Sequence, residues 1–588
     1  MKITKLLAIS IGLVASSTAY SQSDLVNFSG LGRVNVENDK ITGEGVDNDT
    51  TSIKRATGGY TLFDLGINVN PSELLKASVI LRAKNTFGGF YGDGASLQIR
   101  QFRIEGAVGK IVKYQVGDID LGLTPYTLHN FEEVYHDYES DLFKIRRDIV
   151  SYENFNFGSK WRLQGLDAKT TLKFARFIDK LKLNAFGTRV KQANFSTNEP
   201  DRLLYGGRIH VIQSKYFEIA GNLTGLSDVA GTARDSVFQY DNLVATTDLK
   251  GNYEVGKFEI KAFAELGSSN YSFKNIKKKK EYIYDDYFYD GGLGVVYKPS
   301  TFTVGLEGSY REVGAQFSSP AAQTRRINDV VIINDANPLA NTVNDKNLLF
   351  SSYNNLTQAR EQTLFDRYTN TGLYNQSIRP VLGTFLPEYN NLTPYGTATP
   401  NRKGLTVKVN VKEKEKVVVA DFATEMLTEV LGEGTKELRT FMGMRGGFLL
   451  NINKLVKFKK SIVLSAGYRG EQTKRSGDAS VDLKSTIIDA GITVEVLKGF
   501  DLIGGYKSIT ASGNEFIANR NQDNGLTFAY LNRSIDKNEG VVTGGFRYRF
   551  NNKTFFTVNY QKLAYRNEKI KGINYNIDQL FFNYTLVF

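Results

Sequence analysis

The chain has 588 residues, 74 Lys and Arg against 62 Asp and Glu, a formal net charge of +12 and no cysteine. Without Cys there are neither disulfides nor thiolate metal sites, and bases dispersed among nearly as many acids argue against a nucleic-acid partner. After the first twenty residues no run approaches the roughly 18 consecutive apolar residues of a membrane helix, yet Phe (38), Tyr (32) and Gly (55) are abundant.

Lys2 and Lys5 precede an apolar run from Leu6 to Ala15, and a small, polar stretch leads to Ala19-Tyr20-Ser21 before Gln22. This pattern predicts a secretory signal peptide over 1–21 and a mature chain, 22–588, that forms a single domain. Cleavage before Gln resembles signal peptides of the Bacteroidota. A first strand from about Leu25 leaves no space for the N-terminal plug of a TonB-dependent receptor, so that class is not expected.

From Leu25 onward, alternating apolar and polar strands of about 9 to 13 residues recur, long enough for a tilted strand to cross a bilayer. Short connections are predicted near Pro71, Lys110, Asp179, Ser214, Gly256, Pro299, Lys414, Lys454 to Lys460, Lys498 and Asn551 to Lys553. Each joins a hairpin, and one strand added at each end gives about 22 strands, within roughly 18 to 24. Ser151 to Ala175 holds no single phase through Trp161, Leu163 and Leu172, so a short soluble hairpin is an alternative to a wall strand there. Phe217, Phe258, Phe302 and Phe500 follow tight turns, and Phe550 and Phe555 bracket another, which predicts an aromatic girdle at one membrane interface.

Strand phase separates two faces. In Phe302 to Arg311, the residues Phe302, Val304, Leu306, Gly308 and Tyr310 share one side, while Thr303, Glu307, Ser309 and Arg311 share the other. The same phase predicts an inward set of bases, Arg82, Lys84, Arg103, Lys261, Arg311, Arg445, Arg469, Arg547 and Arg549, and of acids, Glu105, Glu259, Glu265, Glu307, Glu471, Asp489 and Glu495. Interleaved signs partly cancel beyond a Debye length of about 8 Å, so a conducting lumen should be weakly anion-selective.

Two long stretches break the wall pattern. Gly122 to Arg147 gathers Glu132, Glu133, Tyr135, His136, Asp137, Tyr138, Glu139 and Asp141, and is expected to be a solvated extracellular loop rather than a cation or sugar site. Gly314 to Lys403 holds six of the ten prolines, which excludes wall strands. It contains a predicted helix over Leu356 to Tyr368, and either folds into the lumen as a constriction or extends outward to an envelope protein partner. Asp47-Asn48-Asp49 and Asp285-Asp286-Tyr287 to Asp290 are acidic but lack the ligand series of a calcium loop. Lys277 to Lys280 is expected at a loop tip, where it either meets lipopolysaccharide or is simply solvated. Of the three histidines only His136, beside Asp137, suggests catalysis, and no nucleophile elbow, zinc motif or phosphate-binding loop is present, so neither an enzyme nor a cofactor is expected.

In the last strand Leu580, Phe582, Tyr584, Leu586 and Phe588 fall on one face, with Gln579, Asn583 and Thr585 on the other, joined by Phe581 and Val587. Alternating bulky residues that finish on Phe588 resemble the C-terminal assembly signal of Gram-negative outer-membrane β-barrels, carried here by Tyr584, Leu586 and Phe588. The resemblance implies an all-β, transmembrane antiparallel β-barrel of the porin-like class in the outer membrane. It also implies periplasmic termini, long extracellular loops, contact with outer-membrane lipid and lipopolysaccharide, and insertion by the barrel-assembly machinery. Two functions remain open: a channel for passive passage of small polar solutes, or a non-conducting barrel that anchors a surface or secretion complex through its loops.

Overall fold

The computed structural model describes residues 25–47, 54–87, 95–129, 138–153, 163–193, 200–232, 238–275, 277, 279–322, 391–432, 435–520, 527–569 and 574–588. The signal peptide, the helix expected over 356–368, the His136–Asp137 pair and Trp161 lie outside the described residues.

The strands in chain order are β1 (Val26–Gly43), β2 (Arg55–Ser72), β3 (Leu75–Thr86), β4 (Ala95–Val108), β5 (Val112–Ile119), β6 (Leu163–Lys173), β7 (Lys180–Lys191) and β8 (Arg202–Ile212). They continue as β9 (Phe217–Asp228), β10 (Phe238–Val255), β11 (Phe258–Asn275), β12 (Lys280–Tyr297), β13 (Phe302–Val313), β14 (Arg402–Glu413) and β15 (Val418–Thr428). The last are β16 (Thr440–Asn451), β17 (Ile462–Arg475), β18 (Val481–Leu497), β19 (Phe500–Arg520), β20 (Thr527–Arg549), β21 (Phe555–Asn567) and β22 (Tyr575–Val587). Consecutive strands pair antiparallel, and β22 returns to β1 in a ladder running from Leu31 opposite Val587 to Gly43 opposite Tyr575. The 22-stranded sheet is therefore closed. β6 is a wall strand paired with β5 and β7, which settles the described part of the ambiguous segment from Leu163 to Lys173.

Every predicted short connection lies at the barrel end where β1 begins and β22 finishes. The β4–β5 turn shows the local cause: Gly109 and Lys110 both take positive φ (59° and 61°), and the Ile111 N–H donates to Val108 O at 3.1 Å. Two left-handed central residues give a turn whose twist matches that of the strands.

Side-chain alternation produces an inverted surface. Phe102, Leu266, Leu306, Phe448 and Leu580 are exposed on the outer face, whereas Asp64, Arg82, Glu265, Asp489 and Asn583 are buried on the inner one. An apolar exterior around a polar interior suits a bilayer, and closure leaves no unpaired edge in hydrocarbon. The protein is an outer-membrane β-barrel. Phe217, Phe258, Phe302 and Phe550 are exposed beside the short turns, and Phe258 stacks on Tyr297 at 4.9 Å. Phe555 departs from the expected girdle. It lies opposite Arg549 and Thr585, both turned inward, and its neighbour Phe556 instead joins Phe546, Tyr548, Phe550 and Phe582 on the outside.

The seam is finished by the last residue. Phe588 exchanges backbone hydrogen bonds with Gly30 (2.9 and 3.1 Å), and its ring covers Gly30 and stacks near Phe63 at 5.9 Å. A Cβ on Gly30 would come within 2.2 Å of that ring and 2.8 Å of Asp64 O. Gly30→Val and truncation of Phe588 should therefore both lower the yield of heat-modifiable barrel in outer-membrane fractions. Assembly of Gly30→Val at the native yield would show that this seat does not secure closure.

Candidate functional site in the lumen

A barrel of this strand number encloses a lumen that must be filled or left open. Among the described residues α-helix is confined to one turn at α1 (Glu44–Asp47), the 13-residue α2 (Asp141–Glu153) and one turn at α3 (Ile452–Leu455), with a 3-10 turn at Pro320–Ala322. Two stretches of the β5–β6 connection, 120–129 and 138–153, lie inside the ring, since together they bond strands from opposite sides of it. The expectation of a solvated extracellular loop is thereby corrected for the described part of this segment. Of its tyrosines and acids, the described Tyr138, Glu139 and Asp141 meet Asp421, Lys507 and Arg547 of the wall.

Residues 120–129 occupy the β6–β12 side. Thr124 Oγ1 donates to Glu265 Oε1 at 2.6 Å, and Tyr126 OH donates to Asp290 Oδ2 at 2.8 Å while its ring stacks on Phe288 at 3.9 Å. Leu121 and Leu128 join Leu163, Phe186, Leu204, Leu226 and Phe273 in an apolar cluster inside the barrel. Residues 314–322 pack beside them: Ser319 Oγ donates to Tyr126 O at 2.8 Å, and the His129 N–H to Ala321 O at 3.1 Å.

α2 crosses the other side. Ser140 precedes its first turn, its backbone carbonyl accepting the Lys144 N–H at 3.0 Å and its hydroxyl donating to Gly504 O at 2.9 Å. Asp141 in the first turn complements the helix dipole and meets Arg547 at 3.1 Å. Glu139, just before the helix, is held by Lys507 (2.9 Å), which also pairs with Asp489 at 3.1 Å. Midway, the Arg146 guanidinium lies 3.7 Å from the Phe581 ring centroid and donates to Gln579 at 2.7 Å.

The C-terminal end explains why a helix ending on Glu153 is tolerated. An acid there opposes the dipole, and the last carbonyls lack intrahelical partners. Four cations from the wall correct both faults. Arg33 and Lys84 pair with the Glu153 carboxylate at 2.7 and 3.4 Å, and Tyr60 OH donates to it at 2.7 Å. Arg82 donates to Glu153 O at 2.9 Å and forks onto Asp64 at 2.8 Å, and Arg100 donates to Tyr152 O at 2.7 Å with its guanidinium 3.9 Å from the Tyr152 ring.

The long loop Gly314–Lys403 folds inward in both of its described parts, 314–322 and 391–401. The backbone N–H groups of Asn391 and Leu392 donate to Glu471 Oε2 at 2.9 and 3.2 Å, and the Asn391 amide reaches Thr473 and Glu515 at 2.8 and 2.7 Å. Arg402 returns donors to Asn391 O and Leu392 O.

The remaining inward candidates are mostly paired on the wall itself. Arg103 meets Glu105 at 3.2 Å, Lys261 meets Glu259 at 3.4 Å, and Glu307 takes Lys408 at 2.8 Å. Arg311 meets Glu425 at 2.8 Å, Arg469 meets Glu471 at 2.5 Å, and Arg549 bridges Glu495 and Asp501 at 3.3 and 2.8 Å. Arg547 also takes Asp501, at 2.9 Å, so the Arg547–Arg549 pair anchors carboxylates and is no free ring of charge. Arg445 is exposed and has no ion pair among the described residues. Asp285 and Asp286 alternate across β12; Asp285 accepts from Asn270, and Asp286 accepts the Gln316 N–H at 2.7 Å.

Sequence reading missed Arg33, Asp64, Arg100 and Glu153. The series Arg33, Asn35, Glu37, Asp39 is visible as polar residues at every second position. Arg100 is not, because Ile80 pairs with Gln101 and Leu81 with Ile99, and this bulge turns Arg100 inward out of phase.

Burial opposes ionisation of Glu153, but the charges of Arg33 and Lys84 with the hydrogen bonds of Arg33 and Tyr60 outweigh it and hold the carboxyl below the ordinary 4.5. A depressed carboxyl contributes docking stability that is complete above 4.5 and is lost as pH falls through the lowered value. Exchange protection of α2 should thus collapse in acid below pH 4.5 while the wall stays folded. Glu153→Gln, which leaves Arg33 and Lys84 buried without their anion, should weaken docking by about 3–5 kcal/mol at neutral pH. Amide exchange of 141–153 measures both, and unchanged protection in Glu153→Gln would refute the clamp.

No protein-family model matches the chain, and no curated protein matches it in sequence. Solved structures that align with it include the ferric citrate transporter FecA in its unliganded form, at 9% identity over 95% of this chain and 78% of that one, with a TM-score of 0.47. A BenF-like porin from Pseudomonas fluorescens Pf-5 aligns at 9% identity over 97% and 100%, with a TM-score of 0.35. The outer-membrane channel DcaP of Acinetobacter baumannii aligns at 10% over 96% and 99%, with a TM-score of 0.28. At such identities and scores the likeness carries no inference about function.

Proposed function

We propose that the protein is a porin-like channel for passive passage of small polar solutes, its lumen narrowed by the infolded segments. The observation that carries this reading is the hydrated charge on the inner wall. The side chains of Lys261, Lys408 and Glu307 are 51%, 45% and 36% exposed, although they face into the barrel. A sealed structural barrel would bury these positions or fill them with apolar groups, since an ion taken out of water is penalised heavily. Their exposure supports an unfilled part of the lumen beside them.

A second reading, a non-conducting barrel that anchors an envelope partner through the 314–403 loop, is favoured by the buried ion pairs that flank α2, Glu139 with Lys507 and Glu153 with Arg33. The two are separated by conductance in a planar bilayer. On the channel reading, the native protein gives small, stable steps, and Asp141→Asn with Glu153→Gln, which loosens both ends of α2, raises them severalfold. Silence of both forms, each verified as folded by heat-modifiability, would overturn the channel and leave the anchor.

A further inference from the structure

We infer that the lumen contains an oxyanion-binding subsite at Arg445, which takes the carboxylate or phosphate group of a small solute. This rests on the channel reading only for how the solute arrives.

The inner face of β16 is covered at every position around Arg445 except its own. Phe441 lies beneath the Arg402 guanidinium, 3.8 Å from its ring centroid. Gly443 lies beneath Leu392, since a Cβ there would come within 2.8 Å of Leu392 Cδ2. On the other side Gly447 lies beneath Tyr138, at 2.4 Å by the same measure. The segments 391–401 and 138–153 thus approach the strand from its two ends and stop short of each other. Arg445 is the inward residue in the gap, and it is exposed.

Its neighbours make the gap attractive to an anion. Arg445 is directly opposite Arg469 on β17 and Ala423 on β15, and Ala423 is directly opposite Lys408 on β14. Ala423 is buried and puts no long side chain between Arg445 and Lys408, which stand two strand spacings, about 10 Å, apart. Like charges directly opposed across strands repel. Glu471 relieves Arg469, at 2.5 and 2.9 Å, and Glu307 relieves Lys408, at 2.8 Å, whereas no described acid is paired with Arg445. The inward acids on β15 two residues to either side of Ala423 are engaged elsewhere: Asp421 accepts the Tyr138 hydroxyl, and Glu425 pairs with Arg311 at 2.8 Å. A guanidinium presents a planar fork of donors that matches two oxygens of a carboxylate or phosphate, so an oxyanion would supply the partner the wall omits.

The test uses inorganic phosphate and the detergent-solubilised full-length barrel, with binding read by titration calorimetry, which needs no conduction. The native protein should bind phosphate, and Arg445→Gln should weaken binding about tenfold or more, the loss expected for a charge-assisted fork, while heat-modifiability is kept. In a bilayer under a salt gradient, Arg445→Glu should move the reversal potential toward cation preference. Phosphate binding by a barrel that does not conduct supports the subsite and removes the channel. Conduction with phosphate affinity unchanged in Arg445→Gln, or no phosphate binding by the folded native protein at millimolar concentration, overturns the subsite and leaves the channel.

Discussion

Hydrocarbon offers no hydrogen-bond partner to a backbone amide or carbonyl, so everything else in this protein depends on the ladder between β1 and β22. That ladder joins residues more than 530 positions apart, Arg33 to Thr585 and Asn35 to Asn583 among them, and has no local turn to fix its register. The register is set by side chains on both faces. Outside, Phe588 rests on the bare backbone of Gly30. Inside, Asn583 donates to Asn35 at 2.8 Å and Thr585 accepts from Arg33 at 3.3 Å. A slip of one residue would turn every one of these groups to the wrong solvent.

Closing so many strands creates an interior wider than two facing layers of side chains can fill, and the chain fills part of it from its own connections. The wall and its filling are matched by charge rather than by apolar area. A buried pair gains little over a hydrophobic replacement, but loss of one partner strands the other. α2 is therefore held in one place at both ends, the adjoining Glu139 by Lys507 and Glu153 by Arg33 and Lys84. Apolar contacts between residues 120–129 and 314–322 and the wall add area without fixing direction.

The wall was legible in the sequence because alternation with period two and tight turns are local properties. The hairpin turns, the faces of β13 and β22 and the closing aromatic all follow from residues within a few positions of one another. Failures came where a long-range partner decides. The phase rule misplaced Phe555, because the β20–β21 turn resets the alternation, and it passed over Arg100, because a bulge does the same in β4. The acidic and tyrosine-rich stretch after β5 has the composition of a hydrated loop. Only the inner wall shows that Thr124, Tyr126 and Glu153 have partners waiting on β1, β2, β3, β11 and β12.

This changes how the lumenal charge must be counted. A sum over inward residues treats each charge as independent, yet Arg82 with Asp64, Arg547 with Asp501 and Lys507 with Asp489 lie within about 3 Å of each other. Each such pair acts as a short dipole whose potential falls off faster than that of a single charge, and salt shortens its reach further. Arg547 and Arg549 are consequently poor sources of field despite standing two residues apart on one face, since Asp501 receives both and Asp141 and Glu495 each take one of them. A solute in the lumen responds to charges that have water rather than a carboxylate beside them. Those positions are fixed by where the infolded segments end, so selectivity in this barrel is a property of the filling as much as of the wall.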